Sequence, residues 1–165
     1  MTHAPTGAAW LVWLETTGVA DAMRKWLWLY PIVEIVHIVG FVILVGAAVM
    51  FDLRLLGVSP GLRASAMARH HLPWARVALV LVIPSGVLMF TAHATEFAAN
   101  PAFRVKLILL AAAGLNALVF HRGAFRSVAA WEAHAPVPGR ARAAAIVSLL
   151  LWVGVISAGR LIAYL

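Results

Sequence analysis

Two acid–imidazole pairs stand out in a chain that is otherwise poor in chemistry. Glu34 and His37 lie three residues apart inside an apolar run, and His93 and Glu96 repeat the spacing in reverse order. On a helix, residues three apart are neighbours on one face. A carboxylate beside an imidazole can ligate a transition metal, pass a proton or fix a helix contact. His70, His71 and His121 form a second histidine set, while His3 and His134 fall in a tail and a loop and receive no role.

The elements that must carry these groups follow from composition. Of 165 residues, 64% are hydrophobic and 12% charged, with a mean hydropathy of +0.94. Soluble domains carry roughly 25% charged residues, so a soluble globule, a disordered tail and a nucleic-acid-binding domain are excluded. The absence of cysteine removes disulfides, thiolate metal sites, iron–sulfur clusters and thioether-linked haem. No glycine-rich phosphate loop or hydrolase arrangement of serine, histidine and acid is present.

A run of about 20 apolar residues crosses the hydrocarbon as a helix. Four runs qualify, at about 30–56, 73–95, 102–121 and 143–164. The expected fold is therefore all-α: a polytopic membrane four-helix bundle over residues 30–165. Residues 1–29 precede it as an interfacial amphipathic segment. Trp10, Trp13, Trp26 and Trp28 mixed with Glu15, Asp21, Arg24 and Lys25 suit the headgroup layer. That segment lacks the basic start and clean apolar core of a signal peptide, and is expected to be retained.

The loops between spans one and two and between spans three and four carry eight basic and two acidic residues, against five and four elsewhere. The positive-inside rule then places both termini outside a bacterial inner membrane. On that orientation His37 and His93 are outer, and His70, His71 and His121 are inner. A 100° projection of span one puts Glu34, His37, Phe41, Leu44, Ala48 and Asp52 on one stripe, which must face other helices because an ion in lipid is costly.

Histidines at both ends of an apolar bundle are what two stacked b-type haems require, since each iron takes imidazoles from different helices. His37 with His93 would hold an outer haem b, and His121 with His71 or His70 an inner one. Glu34 would orient His37. A metal alternative, for a transition-metal ion or proton, uses Glu34, His37, His93 and Glu96, because Glu-x-x-His projects two ligands inward. Plainer roles compete at each position. His70, His71, His93 and His121 suit a membrane–water boundary, Glu34 with His37 suits a helix-fixing hydrogen bond, and Asp52 with Arg54 suits an interfacial charge pair.

Tyr30, Pro31, Glu34, His37, Gly40 and Gly46 precede the string Phe51, Asp52, Leu53, Arg54, Leu55, Leu56 and Gly57. Later come Leu72-Pro73-Trp74, Pro84-Ser85-Gly86, Asn100 to Phe103, Lys106, Asn116 to Leu118, and Phe120 with His121. Over roughly residues 26–122 this pattern resembles an uncharacterised family of small four-helix bacterial inner-membrane proteins. In plan it is similar to copper-resistance D-type proteins and di-haem cytochrome b bundles. The resemblance implies a four-helix membrane protein of unassigned activity.

Together these features predict a small integral membrane protein that binds b-type haem or is associated with redox electron transfer. Transport or sensing of a metal ion or proton, and a non-catalytic accessory role in a membrane complex, are the alternatives. The expected partners are the lipid bilayer and a membrane or redox protein, with no nucleic acid.

Overall fold

The computed structural model describes residues 7–129, 132 and 136–165; His3 and His134 lie outside them. Every regular element among the described residues is a helix. Two short ones, α1 (Ala9–Glu15) and α2 (Gly18–Lys25), lead into four long helices. These are α3 (Leu29–Leu55), α4 (Ala64–Ala92), α6 (Pro101–Arg122) and α7 (Gly139–Leu161). A single-turn α5 (Ala94–Ala99) joins α4 to α6, and a 3-10 turn at Ala124–Ser127 follows α6. All four long helices are apolar and long enough to cross a membrane, and most of their large side chains point outward. In lipid that exposure carries no penalty, because acyl chains are as apolar as leucine.

The helix boundaries have local causes. Asn100 caps α6 by accepting from the Phe103 amide at 3.1 Å, and Pro101 occupies the first turn, where its missing N–H costs nothing. The same asparagine donates to the Ile162 carbonyl at 3.1 Å, tying the start of α6 to the end of α7. α4 begins at Ala64, not near Pro73, because the exposed ring of Pro73 is carried within the helix. His70 and His71 are therefore helical. At the other end, His93 adopts φ −144° and ψ 52°, which stops α4 before Glu96.

Two clasps hold the ends. On the side of the termini, Glu15 Oε1 accepts from the Thr95 amide at 2.7 Å and from its hydroxyl at 2.8 Å. Arg24 donates to the Ala92 carbonyl at 2.9 Å, so α1 and α2 lie across the α4–α5 junction. Their Trp10, Trp13, Trp26 and Trp28 stay exposed, as interfacial anchors do. On the arginine-rich side, Ser65 donates its amide and hydroxyl to Glu132, distant in sequence, at 3.0 and 2.6 Å, which ties down the start of α4. Burial opposes the Glu132 charge, but these donors outweigh it and hold its carboxyl below the usual range.

Packing between the spans is uneven. α3 packs along α4 and against α7, and α7 packs along α6, giving the order α4–α3–α7–α6. Among the described residues α4 and α6 have no close backbone approach. Near the termini their rings bridge the gap: Phe90 of α4 stacks on Phe103 of α6 at 5.6 Å, with Phe97 of α5 beside both. At the arginine-rich end Leu55, Ala64, Phe120, Ala124, Ala141 and Ala145 form a sealed apolar core.

Gly40 sets the α3–α4 distance. A Cβ there would meet Val82 Cγ2 at 2.9 Å and Leu81 Cβ at 3.0 Å, whereas one at Gly46 would meet nothing within 4 Å. Gly40→Ala should therefore destabilise the bundle by about 1–3 kcal/mol through overpacking. Gly46→Ala should be neutral, or stabilise by up to about 1 kcal/mol through helix propensity. Unfolding in detergent micelles compares the two, and equal effects would refute the close approach.

Candidate functional site

The inward stripe of α3 divides into two polar levels. At the first, His37 Nδ1 lies 3.1 Å from the Val82 carbonyl and 3.0 Å from Ser85 Oγ, both on α4. A carbonyl only accepts, so a bond to Val82 requires the proton on Nδ1. The ring rests on Gly86, where a Cβ would approach His37 Cε1 to 3.1 Å. His37 thus ties α3 to α4 just beyond Pro84, which removes one backbone donor from that turn.

This level does not assemble the expected outer site. Glu34 is exposed and makes no hydrogen bond or ion pair among the described residues, so Ser85 and Val82, not Glu34, orient His37. His93 sits eight residues past Ser85, a rise of roughly 12 Å. It is exposed, with Nδ1 3.6 Å from Glu96 Oε2. No group of three or more His, Asp or Glu side chains among the described residues is close enough to hold a metal ion. Lys106 is only partly exposed and lies against Gly159 of α7, where a Cβ would stand 3.7 Å from Nζ.

Phe41 and Trp152, edge to face at 6.0 Å, separate this level from the second. Below them lies a cavity of about 240 Å³ bounded by all four spans. Its walls are mainly apolar, with alanines from each helix and the rings of Phe51, Phe120 and Trp152. Five polar side chains interrupt them: Asp52, His71, Asn116, His121 and Ser148.

Asp52 is 6% exposed, and Ser148 is its hydrogen-bonding neighbour. Its Oδ2 is buried without a partner, and so is His71 Nδ1. Among the described residues these are the buried side-chain atoms left unsatisfied, and both residues line this cavity. The sequence-level pairing of Asp52 with Arg54 is not formed. Arg54 donates instead to the carbonyls of Leu62 and Pro60, because residues two apart point to different faces of a helix.

His121 and His71 line the cavity from α6 and α4. His121 Nδ1 bonds the Ala117 carbonyl at 2.8 Å, so in the neutral ring Nε2 is a bare acceptor. Asn116 donates to the Ala144 carbonyl at 2.9 Å, joining α6 to α7. His70 is exposed and stacks edge-on against His71 at 5.4 Å. A second hollow of about 270 Å³, lined by Gly46, Met50, His70 and Trp74, shares Ala47 and His71 with the first. Sequence reasoning undervalued Asp52 and missed Ser148, whereas Asn116 bonds another helix as its type and place suggest. The signal was Asp52 on the inward stripe, with its only nearby cation on another face.

With this geometry established, relatives add a family and no activity. Residues 10–165 match the model of DUF6644, a family of unknown function, and the chain belongs to that family. No curated protein and no solved structure matches it.

The two polar levels respond differently to truncation. His37→Ala should cost about 1–3 kcal/mol, because it breaks a helix–helix hydrogen bond and leaves a void beside Gly86. His93→Ala should change stability by less than about 0.5 kcal/mol. Chemical unfolding of the two variants in micelles distinguishes them, and a larger loss at His93 would refute the assignment.

Proposed function

We propose that the chain is a multi-pass membrane protein that binds a small molecule in the cavity enclosed by its four spans. One observation carries the proposal. Asp52 and His71, on different helices, both line this cavity, and Asp52 Oδ2 and His71 Nδ1 are buried without partners. Leaving a buried polar atom unpaired costs about 1–3 kcal/mol, and more for a charge. Two such atoms on residues that line one cavity signal a missing partner. The apolar walls, interrupted by a few convergent polar groups, are those of a ligand pocket.

A second reading is haem b, with His71 and His121 as axial ligands. The Nδ1 bond of His121 to Ala117 supports it, since that bond leaves Nε2 free and oriented for a metal. Space ranks it second. The cavity of about 240 Å³ falls below the roughly 300–1,000 Å³ of ordinary ligand sites, so a four-pyrrole macrocycle needs α4 and α6 to part. Purified protein with a Soret band that is lost in His121→Ala would favour haem over a smaller ligand.

The small-molecule reading makes a prediction about sign. If Asp52 serves a ligand, Asp52→Leu should stabilise the empty protein by about 1–3 kcal/mol, because an unpaired polar group gives way to an apolar one. The same substitution should abolish retention of small molecules detected by mass spectrometry of the purified protein. Destabilisation of the empty protein by Asp52→Leu would assign the carboxylate a structural role instead.

A further inference from the structure

The cavity wall presents mainly acceptors, and the donors beside them are spent except for the one ring N–H of a neutral His71. Ser148 is engaged with Asp52, and Oδ2 of that carboxylate has no donor. The Nδ1–H of His121 goes to Ala117, leaving Nε2 as a lone pair. Asn116 gives its amide to Ala144, and its Oδ1 has no partner among the described residues. His71 makes no hydrogen bond there, and in its neutral form one ring nitrogen must accept. An occupant that satisfies this wall has to bring hydrogen-bond donors.

Three further observations narrow its chemistry. Asp52, His71 and His121 are not grouped closely enough for one metal ion to bind all three, which favours donors spread across a molecule. A cavity of about 150 Å³ holds benzene, so one of about 240 Å³ holds a single six-membered ring with its substituents. The helix segments toward the arginine-rich end carry Arg69, Arg76, Arg122, Arg126, Arg140 and Arg142, a field that disfavours a cation. Neutral O–H groups on one apolar ring meet all three conditions. Access is lateral, because α4 and α6 both line the cavity yet have no close backbone approach.

Resting on the small-molecule reading of this cavity, we propose that it is a hydroquinone site. It takes the reduced, two-hydroxyl form of a single-ring quinone from the bilayer between α4 and α6. One hydroxyl donates to Asp52 Oδ2 and the other to an acceptor across the cavity at His71, His121 or Asn116. The oxidised form presents two carbonyl acceptors, which only the His71 N–H can meet and which leave Asp52 Oδ2 unpaired, so it binds more weakly. The site therefore discriminates redox state by hydrogen-bond polarity alone, and no electron transfer is required of it.

The test is anaerobic equilibrium dialysis of the detergent-solubilised full chain with tetramethylhydroquinone, tetramethylbenzoquinone and benzylamine. Full ring substitution keeps the quinone from adding to lysines. The wild type should bind the hydroquinone at least about tenfold more tightly than the quinone, the ratio expected when a polar group is left unpaired. Asp52→Leu should remove the preference, and His71→Leu should reduce it if the first variant does not fold. Equal or tighter binding of the quinone, or a preference that survives in folded Asp52→Leu, overturns the proposal. Binding of benzylamine alone overturns it while leaving the cavity a ligand site. Binding of none of the three overturns it as well, and retention of another small molecule, lost in Asp52→Leu, then shows whether the cavity reading survives.

Discussion

Removing a carboxylate oxygen from water without supplying a donor costs several kcal/mol in a low-dielectric interior. Asp52 Oδ2 is in that position, surrounded by alkyl and aromatic groups within reach of four helices. The rest of the bundle can be understood by how it leaves that oxygen unpaired on a residue that lines a cavity. Elsewhere in the bundle, buried polar side chains are used to bind helices to one another. His37 and Ser85 join α3 to α4, Asn116 joins α6 to α7, and Asn100 joins the ends of the same two helices. Asp52 meets α7 through Ser148, but its second oxygen joins nothing among the described residues. The contrast identifies the cavity as the place where the chain gives up stability.

Residue size produces the void. Near the termini Gly40 lets α3 and α4 approach closely, while Phe90, Phe97 and Phe103 fill the gap between α4 and α6. At the arginine-rich end Leu55 and Phe120 close the core. Between these zones each of the four spans contributes alanines to the lining, too short to meet across the bundle. Phe41 and Trp152 roof the space and part it from His37. A ring of helices in the order α4–α3–α7–α6, unclosed between its first and last members, turns that void toward the bilayer.

Much of this was legible in the sequence. Apolar runs long enough to span a bilayer identify themselves by length and charge exclusion, and all four long helices coincide with such runs. The inward stripe of α3 was also readable, since His37, Phe41, Leu44, Ala48 and Asp52 are all at least partly buried. It fails at Glu34, which lies near the start of α3 and remains exposed. Two other features depend on backbone geometry that periodicity does not encode. His93 leaves helical conformation and its side chain stays exposed, and Pro73 is accommodated within α4, which places His71 on the cavity lining. The cavity itself depends on helix order, and a sequence of four similar apolar runs does not specify which pair is left apart.

The central claim is that Asp52 and His71 await a ligand that the protein itself does not provide. The most direct measurement is a high-resolution structure of the chain in lipid nanodiscs, with native lipids retained. The account predicts non-protein density between α4 and α6, within hydrogen-bond distance of Asp52 Oδ2 and of His71. A cavity closed by inward collapse of the helices, with Asp52 bonded by an arginine or another protein group, would contradict it.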